Sequence, residues 1–338
     1  MPGLRAWVSR IIWLIIRVGG IGFLALSASP ALPAQSLPTS PRSEQAQAEM
    51  PPKPVGADAD QTFTLVGAGD IATCKHLDGA EATGKLIDQI PGTVFAAGDL
   101  AYEKGSPTEF KNCYEPTWGK FRDRTKPALG NHEYDGPTAD GYFQYWGAQA
   151  GPEGKGFYSY DLGRWHIVVL NTNCGKKEMG GCGKGSPQET WLREDLAKHP
   201  DACILAYGHH ALFSSCLLKE HALHPLMRPL WQDLYAAHAD LILAGHEHSY
   251  ERFAPQDPDG KPDPAHGIRE IVAGTGGRSQ DPLGFATPNS EVREWKTYGV
   301  LKLTLAPGKY TWEFIPVAGS TFHDSGSGVC HNASSTAD

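Results

Sequence analysis

Five short motifs, each beginning with glycine, stand where predicted strands of this chain end. In chain order they are Gly69-Asp70-Ile71-Ala72, Gly98-Asp99-Leu100-Ala101-Tyr102, Gly130-Asn131-His132-Glu133, Gly208-His209-His210 and Gly245-His246-Glu247-His248. Glycine lets the backbone turn sharply at the carboxyl edge of a sheet, so that the next side chain projects into a crevice there. Five strands that end in this way can bring their polar side chains to one site.

The spacing of apolar residues predicts an α/β fold. Short strands are expected at residues 63–68, 93–97, 126–129, 203–207 and 241–244. Helices are expected at residues 80–90, 188–198 and 223–237, the second with a capping box of Ser186 and Glu189. Residues 156–171 and 298–317 instead read as antiparallel hairpins. The mixture predicts a four-layer sandwich of two mixed β-sheets packed together, with helices on the outside, in one catalytic domain at residues 61–330.

No single motif is specific. Gly-Asp pairs occur by chance, and an Asp or Asn at a strand end often only forms a turn. The ordered set of five motifs, ending in His-x-His, is what indicates a metal site.

The ordered set resembles the calcineurin-like metallophosphoesterase superfamily, and within it the purple acid phosphatase branch. The resemblance covers residues 62–316, and the run 245–252 is especially close to that branch. The superfamily at large has Asp-x-His in its first motif, whereas Ala72 stands here. Tyr102, three residues after Asp99, stands where purple acid phosphatases carry a tyrosinate. Their first motif usually has Gly in the place of Ala72, a difference that affects no ligand.

The resemblance implies two metal ions that share the carboxylate of Asp99. The first ion would be held by Asp70, Asp99, Tyr102 and His248, and the second by Asp99, Asn131, His209 and His246. Because the pKa of tyrosine is ordinarily about 10, only a strongly Lewis-acidic ion keeps it ionised at neutral pH. The first site therefore favours Fe(III), and the second suits a divalent ion such as Zn, Fe or Mn.

The predicted activity is that of a metal-dependent phosphoric ester hydrolase, similar to an acid phosphatase. A hydroxide bound between two ions would attack a phosphate monoester in line with the leaving oxygen. His132 is the predicted proton donor, because it neighbours a ligand and has no ligand role in the resembling family. His221 is a second candidate, for which a surface histidine in a loop is an equal interpretation.

Three neighbouring features are open to more than one interpretation. His210 follows His209 where related motifs read His-x-Pro, and His209 is the expected ligand. Glu133 is expected to orient its neighbours. The run 273–278, Ala-Gly-Thr-Gly-Gly-Arg, is either a phosphate-binding loop with Arg278 or a close turn after a strand.

Two further functions compete with the monoesterase. The same centre can serve a phosphodiesterase acting on cyclic nucleotides or glycerophosphodiesters, and a non-catalytic metal-binding surface protein would carry the same ligands. A serine hydrolase is disfavoured, since the sequence has no Gly-x-Ser-x-Gly motif.

The first 34 residues have the order of a secretory signal peptide. Three arginines precede an apolar run at 18–28 and a stretch of small residues at 29–34, with cleavage expected near Ala31 or Ala34. A retained membrane anchor from Ile11 is the alternative, although Arg17 would then lie in the membrane at a cost of roughly 2.5 to 3.5 kcal/mol. Residues 35–60 read as a flexible tether and 331–338 as a polar tail. We expect a secreted or periplasmic protein with no stable membrane association after cleavage.

The charge balance limits the expected partners. Without the signal peptide, 27 basic residues face 38 acidic ones, so a nucleic acid would be repelled on average. Small-molecule phosphate esters are the expected partners, and the sequence indicates no oligomeric state.

Seven cysteines, all after the tether, favour an oxidising compartment. Cys174 with Cys182, which flank a glycine-rich loop, is the first expected disulfide, and Cys74 with Cys113 is the second. Cys203 stands at the start of an apolar strand, where a buried free thiol is the alternative to a disulfide.

Overall fold

Two mixed β-sheets lie face to face in the computed structural model, which describes residues 61–134, 138–152, 154–217 and 225–332. The strands of the described residues are β1 (Phe63–Ala68), β2 (Ala72–Thr73), β3 (Thr93–Ala97), β4 (Ala101–Tyr102), β5 (Thr125–Ala128), β6 (Tyr158–Leu162), β7 (Trp165–Val169), β8 (Cys203–Tyr207), β9 (Leu241–Ala244), β10 (Tyr250–Phe253), β11 (Arg269–Ala273), β12 (Ser290–Glu294), β13 (Gly299–Ala306), β14 (Lys309–Pro316) and β15 (Asp324–Val329). The six-stranded sheet has the order β15-β14-β13-β1-β3-β5 and the seven-stranded sheet the order β12-β10-β11-β9-β8-β7-β6. Each sheet combines parallel strands with antiparallel ones, as predicted.

Helices cover the outer faces of both sheets. The α-helices are α1 (Asp78–Asp88), α2 (Pro107–Glu109), α3 (Asp140–Trp146), α4 (Pro187–Leu196) and α5 (Arg228–Ala236). A π-helical turn lies at Phe110–Tyr114, and 3₁₀ turns lie at Gly119–Arg124, His132–Tyr134, Gly147–Ala150, Lys177–Met179 and Pro225–Met227.

Alternating side chains along the central strands build the layers. Leu65 of β1 packs between the sheets with Leu205 of β8, whereas the next residue, Val66, packs on the outer face. Ile204 of β8 likewise packs on the opposite outer face, against α4 and α5. Because side chains in a strand alternate between faces, each sheet buries both of its sides. The predicted four-layer sandwich is confirmed.

The predicted elements are found with small shifts. Four of the five predicted strands have the predicted bounds, and the fifth begins one residue earlier, at Thr125. The third helix begins at Arg228 and has a proline in its first turn, where the missing N–H is tolerated. The prediction at 223–224 lies outside the described residues, as do residues 1–60, with the predicted signal peptide and tether, and residues 333–338.

The predicted capping box at α4 is only half formed. The Ser186 hydroxyl accepts from the Glu189 N–H, but the Glu189 carboxylate accepts from the N–H of Gly185 instead of Ser186. The complete capping box of the described residues is at α2, between Ser106 and Glu109.

Three disulfides lie within the described residues, with sequence separations of 8, 39 and 127 residues. Cys174–Cys182 and Cys74–Cys113 confirm the two predicted pairs. The alternative of a free thiol at Cys203 is wrong, because Cys203 pairs with Cys330, 127 residues away. This pairing joins the start of β8 to the segment after β15, which no local pattern indicates. Among the described residues, no helix has the length and apolar character to cross a membrane.

Candidate metal centre

The residues directly beyond three strands adopt left-handed backbone, which is strained for residues other than glycine. The φ angles are 60° at Asp70, 52° at Asp99 and 72° at His246. Such conformations cost about 1 to 3 kcal/mol each and gather at functional sites. The left-handed conformation thus falls on the polar residue itself, and at the second motif also on the preceding Gly98.

The glycines of the motifs allow the strand ends to approach one another closely. A Cβ atom on Gly130 would lie 2.0 Å from the Asp99 Oδ1 atom, and one on Gly245 would lie 2.7 Å from the Asp70 Oδ2 atom. Any other residue at either position would push the neighbouring carboxylate away. The sequence prediction that these glycines serve the site is explained by this close packing.

Asp70, Tyr102 and His248 form the first group of polar side chains. The Tyr102 hydroxyl donates to Asp70 Oδ1 at 2.7 Å and lies 3.2 Å from His248 Nε2. His248 Nε2 lies 3.4 Å from the same Asp70 oxygen. Asp70 and Tyr102 are buried. A carboxylate oxygen, a phenol oxygen and an imidazole nitrogen therefore lie close together at one point.

His209 is the centre of the second group. Its Nε2 atom lies 3.2 Å from Asp99 Oδ2, 3.0 Å from Asn131 Oδ1 and 3.2 Å from His246 Nδ1. The two groups adjoin, because ligand atoms of Asp70, Asp99 and His209 all lie within 4.8 Å of one another. The structure thus brings together all seven residues that were predicted to bind metal.

The hydrogen-bond partners of His209 indicate which of its ring nitrogens carries a proton. Its Nδ1 atom lies 2.9 Å from the Ala97 carbonyl oxygen, which can only accept, so Nδ1 carries a proton. In a neutral ring Nε2 then presents a lone pair to the Asp99 carboxylate, and a proton or a metal ion between the two atoms makes this contact favourable. A carbonyl partner on the second nitrogen is the usual arrangement for a metal-binding histidine.

The pKa values around the centre reflect the same excess of negative charge. Burial lowers the pKa of His209, but Asp99 and Asp70 outweigh it and raise that pKa to about 10. The pKa of Asp99 is lowered despite its burial, by His209, His132 and His246. Burial and the two carboxylates raise the pKa of Tyr102 well above 10, so ionisation of its phenol needs a cation beside it.

The donors fit a pair of metal ions. Oxygen and nitrogen ligands lie roughly 2.0 to 2.2 Å from a bound transition metal, which places neighbouring ligands about 3 Å apart. The contacts of 2.7 to 3.4 Å in both groups match that spacing. Carboxylates, a phenol, an amide oxygen and imidazoles are also the ligand types that iron, zinc and manganese accept.

His132 lies at the edge of the centre, half-buried. Its backbone N–H donates to Asp99 Oδ1 at 2.9 Å, and its Nδ1 donates to the Glu103 carbonyl at 2.5 Å. Its Nε2 lies 3.9 Å from Asp99 Oδ2, and its ring is 4.5 Å from the Tyr102 ring. The Nε2 atom therefore faces the centre while Nδ1 is held from behind. His221 lies outside the described residues.

Hydrogen bonding fixes the state of His210. The Thr172 hydroxyl oxygen accepts from the N–H groups of His209 and His210, so its own proton goes to His210 Nδ1 at 2.8 Å. His210 Nδ1 is thus an acceptor bound to a hydroxyl. His209 is the histidine of this motif that meets the carboxylates, as predicted.

Glu133 makes more contacts with the centre than the sequence suggests. Its buried carboxylate accepts from the N–H groups of Asp99, Leu100 and Gly130 at 2.7 to 3.0 Å. One side chain therefore ties the loop of Asp99 to the loop of Asn131. The position of Glu133 in the third motif indicated a role near the centre. The sequence alone could not identify the backbone N–H groups that it accepts from.

The glycine-rich run 273–278 is a close turn, and the phosphate-loop interpretation is wrong. The N–H groups of Gly274, Gly276 and Arg278 donate to the carbonyls of Ser249, Gly69 and Asp70. These amides are therefore engaged in holding the first motif. The Arg278 guanidinium stacks on the Tyr102 ring at 4.8 Å.

Comparisons with known proteins agree with this geometry. A family model of calcineurin-like phosphoesterases matches residues 63–250, which include all five motifs. Purple acid phosphatase 23 of Arabidopsis thaliana is 27% identical over 203 residues, which cover 50% of this chain and 43% of the relative. The nucleotide pyrophosphatase/phosphodiesterase of Hordeum vulgare is 26% identical over 266 residues, covering 66% of this chain and 68% of the relative.

A solved structure supports the fold. The purple acid phosphatase PPD1 of yellow lupin (Lupinus luteus) has a TM-score of 0.63 at 22% identity, covering 79% of this chain and 54% of that one. The chain spans about half the length of most curated relatives it matches. With the family model covering more than half of its residues, this chain belongs to the calcineurin-like phosphoesterase family and has purple acid phosphatases among its relatives.

Proposed function

We propose that this protein is an exported phosphoesterase with two metal ions, which hydrolyses phosphate monoesters. The observation that carries the proposal is the convergence of Asp70, Tyr102 and His248 at one point and of Asp99, Asn131, His209 and His246 at the next. Two bound ions at such a centre supply a water of lowered pKa and a clamp for the phosphoryl oxygens.

Each side chain has a proposed role in holding these ions. Asp70, Tyr102 and His248 would hold the first ion, and Asn131, His209 and His246 would hold the second. Asp99 would be shared between the two, which agrees with its place within 4.8 Å of the ligand atoms of both Asp70 and His209. The phenol among the ligands favours Fe(III) in the first position, and the neutral amide and imidazoles favour a divalent Zn, Fe or Mn in the second.

His132 is the proposed donor of the leaving-group proton. Since the Glu103 carbonyl holds the Nδ1 proton, the ring acts as an acid only when Nε2 also carries a proton. The Nε2 atom lies 3.9 Å from Asp99 Oδ2, on the side of the proposed metal ions. His221 remains a second candidate from the sequence, for the same role.

The compartment and the substrates are part of the proposal. The signal-like residues 1–34 and the three disulfides support export to the cell exterior or the periplasm. The excess of acidic residues argues for small phosphate esters over nucleic acids as partners.

The direct experiment compares two chromogenic esters on one purified sample. We expect p-nitrophenyl phosphate to be hydrolysed with a higher kcat/KM than its bis ester, and chelation of metal to abolish both activities. A higher kcat/KM on the bis ester would favour the second candidate, a phosphodiesterase, which the name of the barley relative supports. Two bound ions without turnover of either ester would indicate a non-catalytic metal-binding protein, as two relatives are named probable inactive phosphatases.

The iron assignment has a separate test. An Fe(III)–tyrosinate pair absorbs visible light, so Tyr102→Phe should remove the colour of the purified protein. Tyr298→Phe, at a half-buried tyrosine outside the centre, is the control and should keep the colour. A colourless, fully active wild type would refute iron at the first position.

A further inference from the structure

A cavity of about 420 Å³ opens beside Asn131. Its walls include Thr172, Asn173, Lys176 and His210. This volume falls within the range of about 300 to 1,000 Å³ that is usual for small-molecule pockets. Because Asn131 also belongs to the candidate metal centre, a molecule whose phosphate lies at the centre has its remainder next to this space, which we call the Asn131 cavity.

The loop that forms one wall of the Asn131 cavity is tightly built. The Cys174 N–H donates to the Thr172 carbonyl at 2.8 Å, and the Lys176 N–H donates to the Asn173 carbonyl at 2.9 Å. The disulfide between Cys174 and Cys182 closes the loop. Lys176 is therefore carried by a segment whose backbone is held at several points.

Lys176 brings a positive charge to this wall. Its half-buried ammonium donates to the Tyr134 carbonyl at 3.1 Å. An ammonium has three donors, so two remain for a ligand. Within residues 61–134, 138–152, 154–217 and 225–332, no carboxylate forms an ion pair with it.

Two of the residues that line the cavity offer apolar surface. Leu226 lines the cavity, although 58% of its surface is exposed to solvent. The His210 ring, held through Nδ1 by the Thr172 hydroxyl, adds a flat face. The space thus combines one charged group with surfaces suited to a carbon skeleton.

We propose that the Asn131 cavity binds the alcohol part of the substrate ester and that Lys176 selects alcohols with a second anionic group, a carboxylate or a further phosphate. This inference rests on the proposed phosphoesterase function and adds the class of substrate to it. Lys176 is a specificity residue that contacts the substrate away from the reacting phosphorus.

The test uses two esters of one skeleton, 3-phosphoglycerate and glycerol 3-phosphate, which differ in a carboxylate against a hydroxymethyl group. Wild type should have the higher kcat/KM on 3-phosphoglycerate. Lys176→Met should lower that value about tenfold, mainly through KM, because a hydrogen bond between charged groups is lost on binding. Its kcat/KM on glycerol 3-phosphate should change less than twofold. The control is Lys177→Met, at the exposed neighbour, which should leave both values unchanged.

Failure of this inference differs from failure of the proposed function. If both esters are hydrolysed and Lys176→Met leaves their ratio unchanged, the role of Lys176 is refuted and the phosphoesterase stands. If wild type hydrolyses no ester, the proposed function is overturned and this inference with it.

A second measurement avoids the variant, in case Lys176→Met does not fold. Phosphonoacetate should inhibit wild-type turnover of p-nitrophenyl phosphate more strongly than ethylphosphonate does. Added salt should reduce the difference between their inhibition constants, because it screens the attraction between charges. Equal inhibition by the two phosphonates would contradict the selection of a second anion.

Discussion

Two groups of histidine and carboxylate lie at opposite ends of parallel strands in the seven-stranded sheet, and only one has the converging ligands expected of a metal centre. His209 follows the carboxyl end of β8, whereas His166 is the second residue of the parallel neighbour β7. We call His166, Asp161, Asp195 and His199 the His166 cluster. Ligand atoms of Asp161, His166 and His199 lie within 4.8 Å of one another, as do those of Asp70, Asp99 and His209.

The two groups differ in the number of polar atoms that face each histidine nitrogen. In the His166 cluster, Nδ1 faces Asp161 at 2.8 Å and Nε2 faces Asp195 at 2.9 Å, so each nitrogen has its own carboxylate. The His199 ring stacks on that of His166, with ring centroids 3.6 Å apart and an interplanar angle of 16°. At the metal centre, His209 Nε2 alone meets three polar atoms. Proximity of histidine and carboxylate therefore does not define a metal site; an excess of converging lone pairs does.

The largest expected effect separates the two groups by activity. Asp99→Asn should lower phosphatase turnover by at least about 10³-fold and reduce the bound metal, because it removes the shared charge. Asp195→Asn, in the His166 cluster, should leave turnover and metal content unchanged. Activity assays and metal analysis of both variants test this prediction. Full activity in Asp99→Asn would contradict the distinction between the candidate metal centre and the His166 cluster.

His132→Ala tests the proton donor at the edge of the centre. We expect kcat to fall by about 100-fold while the metal content stays at that of wild type, because His132 donates a proton and holds no ion. The matched change His199→Ala should alter neither kcat nor the metal content. An unchanged kcat in His132→Ala would exclude it from the mechanism.

Glu133→Gln tests how the centre is held. Burial and Asp99 raise the pKa of Glu133 to about 7, while its amide partners oppose the rise. Glutamine turns an N–H₂ group toward N–H donors, so we expect a loss of about 1 to 3 kcal/mol in stability and roughly 10-fold weaker metal binding.

The control for Glu133 is another buried carboxylate that accepts backbone amides. Asp240 accepts from the N–H groups of Ile204 and His331. Asp240→Asn should lose stability in thermal melts but keep the metal affinity of wild type. Equal metal affinity in both variants would show that Glu133 serves the fold alone.

The smallest expected effect is a pH dependence of stability in the His166 cluster. Burial lowers the pKa of His166, but Asp195 and Asp161 outweigh it and raise that pKa above the usual 6.5. The charged ring therefore stabilises the fold fully below about pH 6.5, and this contribution is lost as the pH rises through the higher, folded-state value. His166→Gln should lower Tm by roughly 2 to 4 °C at pH 5.5 and by less at pH 9. A Tm difference that grows with pH would contradict this sign.

The sequence predicted the residues of the centre because their signal is local. Asp70, Asn131 and His246 each follow a glycine at the end of an apolar run, and parallel strands place such ends at one edge. The layers were predicted from the mixture of alternating strands and helices with antiparallel hairpins, which is typical of two mixed sheets.

What the sequence could not give depends on contacts between distant segments. The pairing of Cys203 with Cys330 spans 127 residues, and loop lengths alone do not select it. The amide contacts of Glu133 and the Thr172 contact of His210 depend on how loops pack. The His166 cluster has no motif at all, because Asp161, His166 and Asp195 meet only through a hairpin and a helix.

The central claim is that seven side chains at this edge of the sheets hold two metal ions. Metal analysis of the purified wild-type protein by mass spectrometry tests it most directly, with Asp99→Asn and Asp195→Asn measured beside it. We expect two ions per chain in wild type and in Asp195→Asn, and fewer in Asp99→Asn. No tightly bound metal in wild type, or the same content in all three proteins, would contradict it.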